Sequence, residues 1–140
     1  MRTASWVILT VVGALVILGS VGSAWVAYGG VDYPIGSTPL AEIAAAHPGV
    51  GPALRAVRGT SAAYAGAYGV LFLAIVLGPY RRREVWAWWA ILGGVVVLAI
   101  VTLIRVPSLG FALGVGAALI QLGVAVVALL LDVARLKAAR

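Results

Sequence analysis

Tyr80 to Trp89 reads YRRREVWAWW. Three consecutive arginines, Arg81, Arg82 and Arg83, stand between two long apolar runs, and Trp86, Trp88 and Trp89 follow at once. Arginines beside membrane spans are retained on the cytoplasmic side, and tryptophans collect at the headgroup level. The decapeptide therefore reads as a short cytoplasmic turn between two transmembrane helices. The sidedness of the remaining chain follows from it.

Composition points the same way. Of 140 residues, 64% are hydrophobic and 10% are charged, whereas a soluble domain carries roughly 25% charged residues. Four membrane spans would use about 80 apolar residues. The expected fold is all-α: a polytopic bundle of four transmembrane helices forming a single integral membrane domain over 1–140. The net charge of +6 does not indicate a nucleic-acid partner, because the basic residues flank apolar runs instead of covering one polar face. Absence of cysteine excludes disulfides, thiol chemistry and cysteine-ligated metals.

Working outward, spans are expected over about 6–28, 59–79, 86–106 and 109–131. The first is long enough at ~1.5 Å per residue to reach roughly 34 Å, with Trp6 at one end and Trp25 and Tyr28 at the other. A cleaved signal peptide ending at Gly22-Ser23-Ala24 is the competing reading. Its n-region would hold only Arg2, and its apolar run would exceed the usual length of about 7–15 residues. Residues 29–58 form the only sizeable polar segment. Gly29-Gly30 and Pro34-Ile35-Gly36 carry turn chemistry. Thr38 then reads as an N-cap with Pro39 at the first helical position, opening a short interfacial helix over 39–47 in the first outer loop, which Pro48-Gly49 ends.

The second span has two faces. Gly59, Ala62, Gly66 and Gly69 fall together, and Ser61, Tyr64, Tyr68 and Phe72 fall roughly opposite. The fourth carries Gly110, Gly114 and Ala118 at small-xxx-small spacing. Small faces let helix backbones approach closely in lipid. They imply membrane lipids as surroundings, with association into a homo-oligomer or larger membrane complex through the glycines. With both termini inside, the cytoplasmic set is Arg2, Arg81, Arg82, Arg83, Arg135, Lys137 and Arg140, against Arg55, Arg58 and Arg105 outside. That bias has the sign expected for a multi-pass protein of the cell membrane with cytoplasmic N- and C-termini.

No Asp, Glu, Lys or His falls inside an expected span. Ion-coupled transporters ordinarily need such a group. No phosphate loop, HExxH or nucleophile triad is present. His47 alone makes no metal site, and no cofactor is implied. One constellation emerges from depth. At ~1.5 Å per residue from the outer boundary, Tyr64 sits roughly 8 Å deep, Tyr68 roughly 14 Å and Gln121 about 18 Å. Each needs a hydrogen-bond partner where water is absent. An outward-facing pocket lined by Tyr64, Tyr68 and Gln121, with Arg58 and Arg105 at its mouth, would suit a lipid headgroup, a quinone or another small amphiphile. Against this stands interhelical bonding without any ligand, typically about 0.6 kcal/mol per bond. Arg58 and Arg105 have a similar alternative, snorkelling to phosphates or pairing with Asp32 and Glu42.

Arg58-Gly59, then Tyr64, Gly66 and Gly69, then Tyr80-Arg81-Arg82-Arg83-Glu84 and Trp86-Ala87-Trp88-Trp89, resemble small bacterial four-helix membrane proteins similar to the DoxX-like group. The likeness covers the second and third spans, about a third of the chain. It implies a four-span layout and a bacterial origin. That group is associated with quinol or thiol redox chemistry, but no cysteine or intramembrane histidine is present to carry it over. The expected role is a non-enzymatic accessory or interaction subunit. The alternative is a lipid- or quinone-binding protein, as a redox-enzyme subunit would be.

Overall fold

The computed structural model describes residues 2–109 and 115–133. Helix α1 (Arg2–Tyr28) is followed by a two-stranded hairpin, β1 (Pro34–Ile35) and β2 (Thr38–Pro39), and by α2 (Leu40–Ala46). Helix α3 (Val50–Ile75) runs into a π-helical turn at Val76–Tyr80. Helices α4 (Val85–Leu109) and α5 (Val115–Leu131) complete the order. Gly110 and Gly114 of the expected fourth-span face, and the basic residues Arg135, Lys137 and Arg140, lie outside the described residues.

Three stretches are long and apolar enough to cross a membrane: Ala4–Tyr28, Val50–Tyr80 and Val85–Ile104. A shorter apolar stretch, Ala118–Leu131, lies in α5. These helices bury few of their side chains against one another. On α1, Leu15, Leu18, Val21 and Trp25 are 61%, 66%, 61% and 73% exposed. Long apolar ridges left open in this way suit lipid and would aggregate in water. The chain is a mostly helical membrane protein.

The second long helix starts nine residues earlier than hydropathy suggests, at Val50 instead of Gly59. Arg55 and Arg58 mask this start in the sequence. Pro52 falls in the first turn, where backbone N–H groups have no intrahelical partner and proline removes nothing. Pro39 stands one place ahead of α2, at φ −58° and ψ 141°, and Thr38 pairs in the hairpin instead of capping. The hairpin loop is Gly36-Ser37, with Gly36 at φ 66°. Glycine at the first central position with positive φ is what a type II′ turn requires.

Pro79 accounts for the π-helical turn. Proline inside an α-helix collides with the carbonyl four residues back and lacks an N–H, and widening the turn relieves both. The turn then ends in a Schellman arrangement. Glu84 N–H donates to the Pro79 carbonyl at 3.1 Å and Arg83 N–H to the Tyr80 carbonyl at 3.1 Å. Arg83 occupies the left-handed position, φ 66°, where glycine usually sits. The arginine run is thus a helix stop as well as a charge cluster.

Contacts divide the chain into two units, Met1–Gly13 with Leu71–Arg140, and Ala14–Val70. In the first, Leu9, Val12, Phe72, Val76, Tyr80, Trp88, Ile91, Val95, Ala125, Ala128 and Leu129 are buried. A side chain at Gly13 would fall 2.6 Å from Leu73 Cδ2, so α1 and α3 touch there at glycine distance. In the second unit, Ala27, Leu40 and Ala62 are buried. A Cβ at Gly66 would lie 2.7 Å from Ser20 Oγ, and one at Gly69 would lie 2.8 Å from Ile17 Cγ1. At Gly59 it would overlap the Tyr28 ring. The small face of the second span is therefore consumed inside the chain, against α1.

Candidate functional site

Each unit holds one polar cluster, and the two differ in how completely their groups are satisfied. In the unit of Met1–Gly13 and Leu71–Arg140, Ser5 is the hub. Its hydroxyl lies 2.6 Å from the Tyr80 hydroxyl and donates to the Ala128 carbonyl at 2.7 Å. Ser5 is 0% and Tyr80 1% exposed. One small side chain thus ties α1, the π-helical turn and α5 together. Trp88 turns inward and its indole Nε1–H donates to the Leu129 carbonyl at 3.1 Å. Its ring meets Trp89 edge-on, with centroids 4.9 Å apart. Trp86 and Trp89 remain exposed, as interfacial tryptophans would be, and Trp86 donates to Glu84. Of the arginine run, Arg81 lies over the Trp6 ring, 4.7 Å from its centroid.

In the unit Ala14–Val70, the focus is Tyr33. Two guanidinium groups lie against its ring, Arg58 at 4.4 Å and Arg55 at 5.9 Å from the centroid. They stand at i and i+3 near the start of α3, hence on one helix face. Arg55 also donates to carbonyls where α1 gives way to the loop, Val26 at 3.3 Å and Gly30 at 3.5 Å. It staples the loop to the helix end. Arg58 makes no such bonds. Its Nε is buried and has no hydrogen-bond partner among the described residues. A buried donor left unsatisfied costs about 1–3 kcal/mol, more when charged. Asp32, next to Tyr33, spends Oδ1 on the backbone N–H groups of Tyr33 at 3.1 Å and Ala41 at 3.0 Å. Among the described residues no carboxylate lies within ion-pair reach of Arg55 or Arg58.

Of the residues expected to line a pocket, Tyr64 is 75% exposed and Tyr68 and Arg58 are half-buried, all on α3 in this unit. Gln121 is half-buried on α5 in the other unit. Arg105 lies in α4, with its side chain outside the described residues. Arg58 meets Tyr33, a residue that depth and hydropathy gave no reason to select. Its spacing to Arg55 was the available signal. Several small polar groups of the long helices are bonded to backbone carbonyls of the chain. Ser20 donates to the Ala62 carbonyl at 2.7 Å, Thr10 to Trp6 at 2.8 Å and Ser61 to Val57 at 2.9 Å. His47 is exposed, and among the described residues no group of three His, Asp or Glu side chains could hold a metal ion. Comparison with protein-family models, with curated proteins and with solved structures found no match.

Proposed function

We propose that the chain is a four-span protein of the cell membrane with both termini in the cytoplasm, working as a non-enzymatic accessory or interaction subunit. In this reading α5 supplies the fourth crossing and α2 lies at the membrane surface. The excess of Lys and Arg on one side of the expected layout supports the orientation. The resemblance of residues 58–89 to DoxX-like proteins points to the same four-helix layout.

One observation carries the interaction role. Gly19 and Gly22 on α1, Gly93 on α4, and Gly116 and Gly123 on α5 would each accept a Cβ with nothing among the described residues within 4 Å. Glycine within a helix costs up to about 1 kcal/mol relative to alanine. At Gly13, Gly66 and Gly69 the close neighbour explains the glycine. At the five open positions no part of the described chain does, and close approach of another helix would.

The test is extraction of the tagged full chain from its native membrane in mild detergent, followed by native electrophoresis and mass spectrometry of what accompanies it. The wild type is expected as an oligomer or with a reproducible partner. The pair Gly19→Leu and Gly22→Leu is expected to keep helicity and lose the association. A wild-type chain that migrates as a lone monomer contradicts the proposal.

A further inference from the structure

We infer that Arg58, set on the Tyr33 ring beside Arg55, forms a binding site for the phosphate of an anionic phospholipid headgroup. The inference does not depend on the accessory role.

Three observations within Ala14–Val70 converge on it. First, the cluster is electrically incomplete. Two guanidinium groups share one ring, and among the described residues no carboxylate lies within ion-pair reach of either, Asp32 giving its Oδ1 to backbone N–H groups. Second, the two arginines have different duties. Arg55 is spent on the carbonyls of Val26 and Gly30, whereas half-buried Arg58, with its Nε shut away, makes no hydrogen bond among the described residues and keeps its terminal nitrogens for an outside acceptor. A planar guanidinium offers a fork of donors that fits two phosphate oxygens, and stacking on an aromatic ring fixes the plane of that fork. Third, the level is right. Trp25 and Tyr28, exposed at the end of α1, have the aromatic character of an interfacial belt. The Tyr28 ring lies on Gly59, the residue after Arg58. Arg58 is therefore level with the end of α1, where we place the headgroup phosphates, while α3 itself begins about two turns earlier at Val50. An acidic protein partner would supply the same charge, but a lipid phosphate is present at that depth without any further component.

The site uses none of Tyr64, Tyr68, Gln121 or Arg105. A deeper amphiphile pocket would stand or fall separately.

The full chain would be reconstituted in vesicles of equimolar phosphatidylcholine and phosphatidylglycerol, extracted gently, and its retained lipid quantified by mass spectrometry. The wild type is expected to retain phosphatidylglycerol preferentially. Arg58→Gln should lower that preference about tenfold, the equivalent of one charge-assisted hydrogen bond. Arg58→Lys should restore part of it, since it returns the charge without the fork. Tyr33→Leu should lower it by a smaller factor with Arg58 still in place, and it carries the test if Arg58→Gln fails to fold. In a second arm, inorganic phosphate is titrated into the detergent-solubilised chain and followed by phosphorus NMR. Arg58-dependent phosphate binding with no lipid preference would assign the site to a soluble anion and overturn its lipid identity. Equal phosphatidylglycerol retention by the wild type, Arg58→Gln and Tyr33→Leu would overturn the site itself.

Discussion

Ser5, near the start of α1, and Arg58, about two turns into α3, are both polar side chains of apolar helices, and their surroundings are opposite. Around Ser5 the hydroxyl, its partner Tyr80 and the Ala128 carbonyl complete one another within hydrogen-bond distance. Around Arg58 the chain supplies an aromatic ring and leaves a buried donor without an acceptor. Away from bulk water, a satisfied polar group fixes one packing of the helices, and a charged one without a partner in the chain is open to a ligand from outside. The first cluster reads as construction and the second as recognition.

That contrast breaks most readily at Tyr80. Tyr80→Ala removes a fully buried ring together with its hydrogen bond, so unfolding in detergent should be easier by about 3 kcal/mol or more. Tyr80→Phe should cost only about 1 kcal/mol, because Ser5 keeps the Ala128 carbonyl. Equal losses for the two would mean that the hydroxyl, not the ring, holds the turn.

Gly69→Leu comes next, at about 1–3 kcal/mol of overpacking against Ile17 and Val16. Gly19→Leu on the same scale should be near neutral, since its Cβ enters open space. Matching effects would remove the distinction between consumed and open glycines. Arg83→Gly should stabilise by about 1 kcal/mol in thermal denaturation, relieving a left-handed residue with a side chain. Arg58→Gln should leave stability unchanged or raise it by about 1 kcal/mol, since it removes the buried unpaired donor while giving up the cation–π contact with Tyr33, and it should alter lipid retention most. A large stability loss there would move Arg58 to the construction side of the comparison.

The apolar helices were legible because composition and length decide them. The first and third spans, expected over 6–28 and 86–106, lie within α1 and α4. The start of α3 was not legible, because Arg55 and Arg58 break the hydropathy although they continue the helix. The span expected to end at residue 79 gave no sign of the π-helical turn, since such a turn depends on the carbonyls around Pro79. Tyr80 opens the arginine decapeptide expected as a cytoplasmic turn, and it is buried. Only the placement of Ser5 and Ala128 against it could reveal that. Trp88, one of three adjacent tryptophans, faces the core for the same reason. The recognition cluster was half visible: Arg58 stood out as a charge at a span boundary, but Tyr33 reaches it through a loop whose path only the fold supplies.

The chain has no cysteine, so single cysteines report sidedness without background. Ser37→Cys in the hairpin loop and Arg82→Cys in the arginine turn would be exposed in intact cells to a membrane-impermeant maleimide, then again after permeabilisation. With helices crossing lipid and the arginine turn held in the cytoplasm, Ser37→Cys reacts in intact cells and Arg82→Cys only after permeabilisation. Labelling of Arg82→Cys in intact cells, or recovery of either variant in the soluble fraction without detergent, would contradict the account.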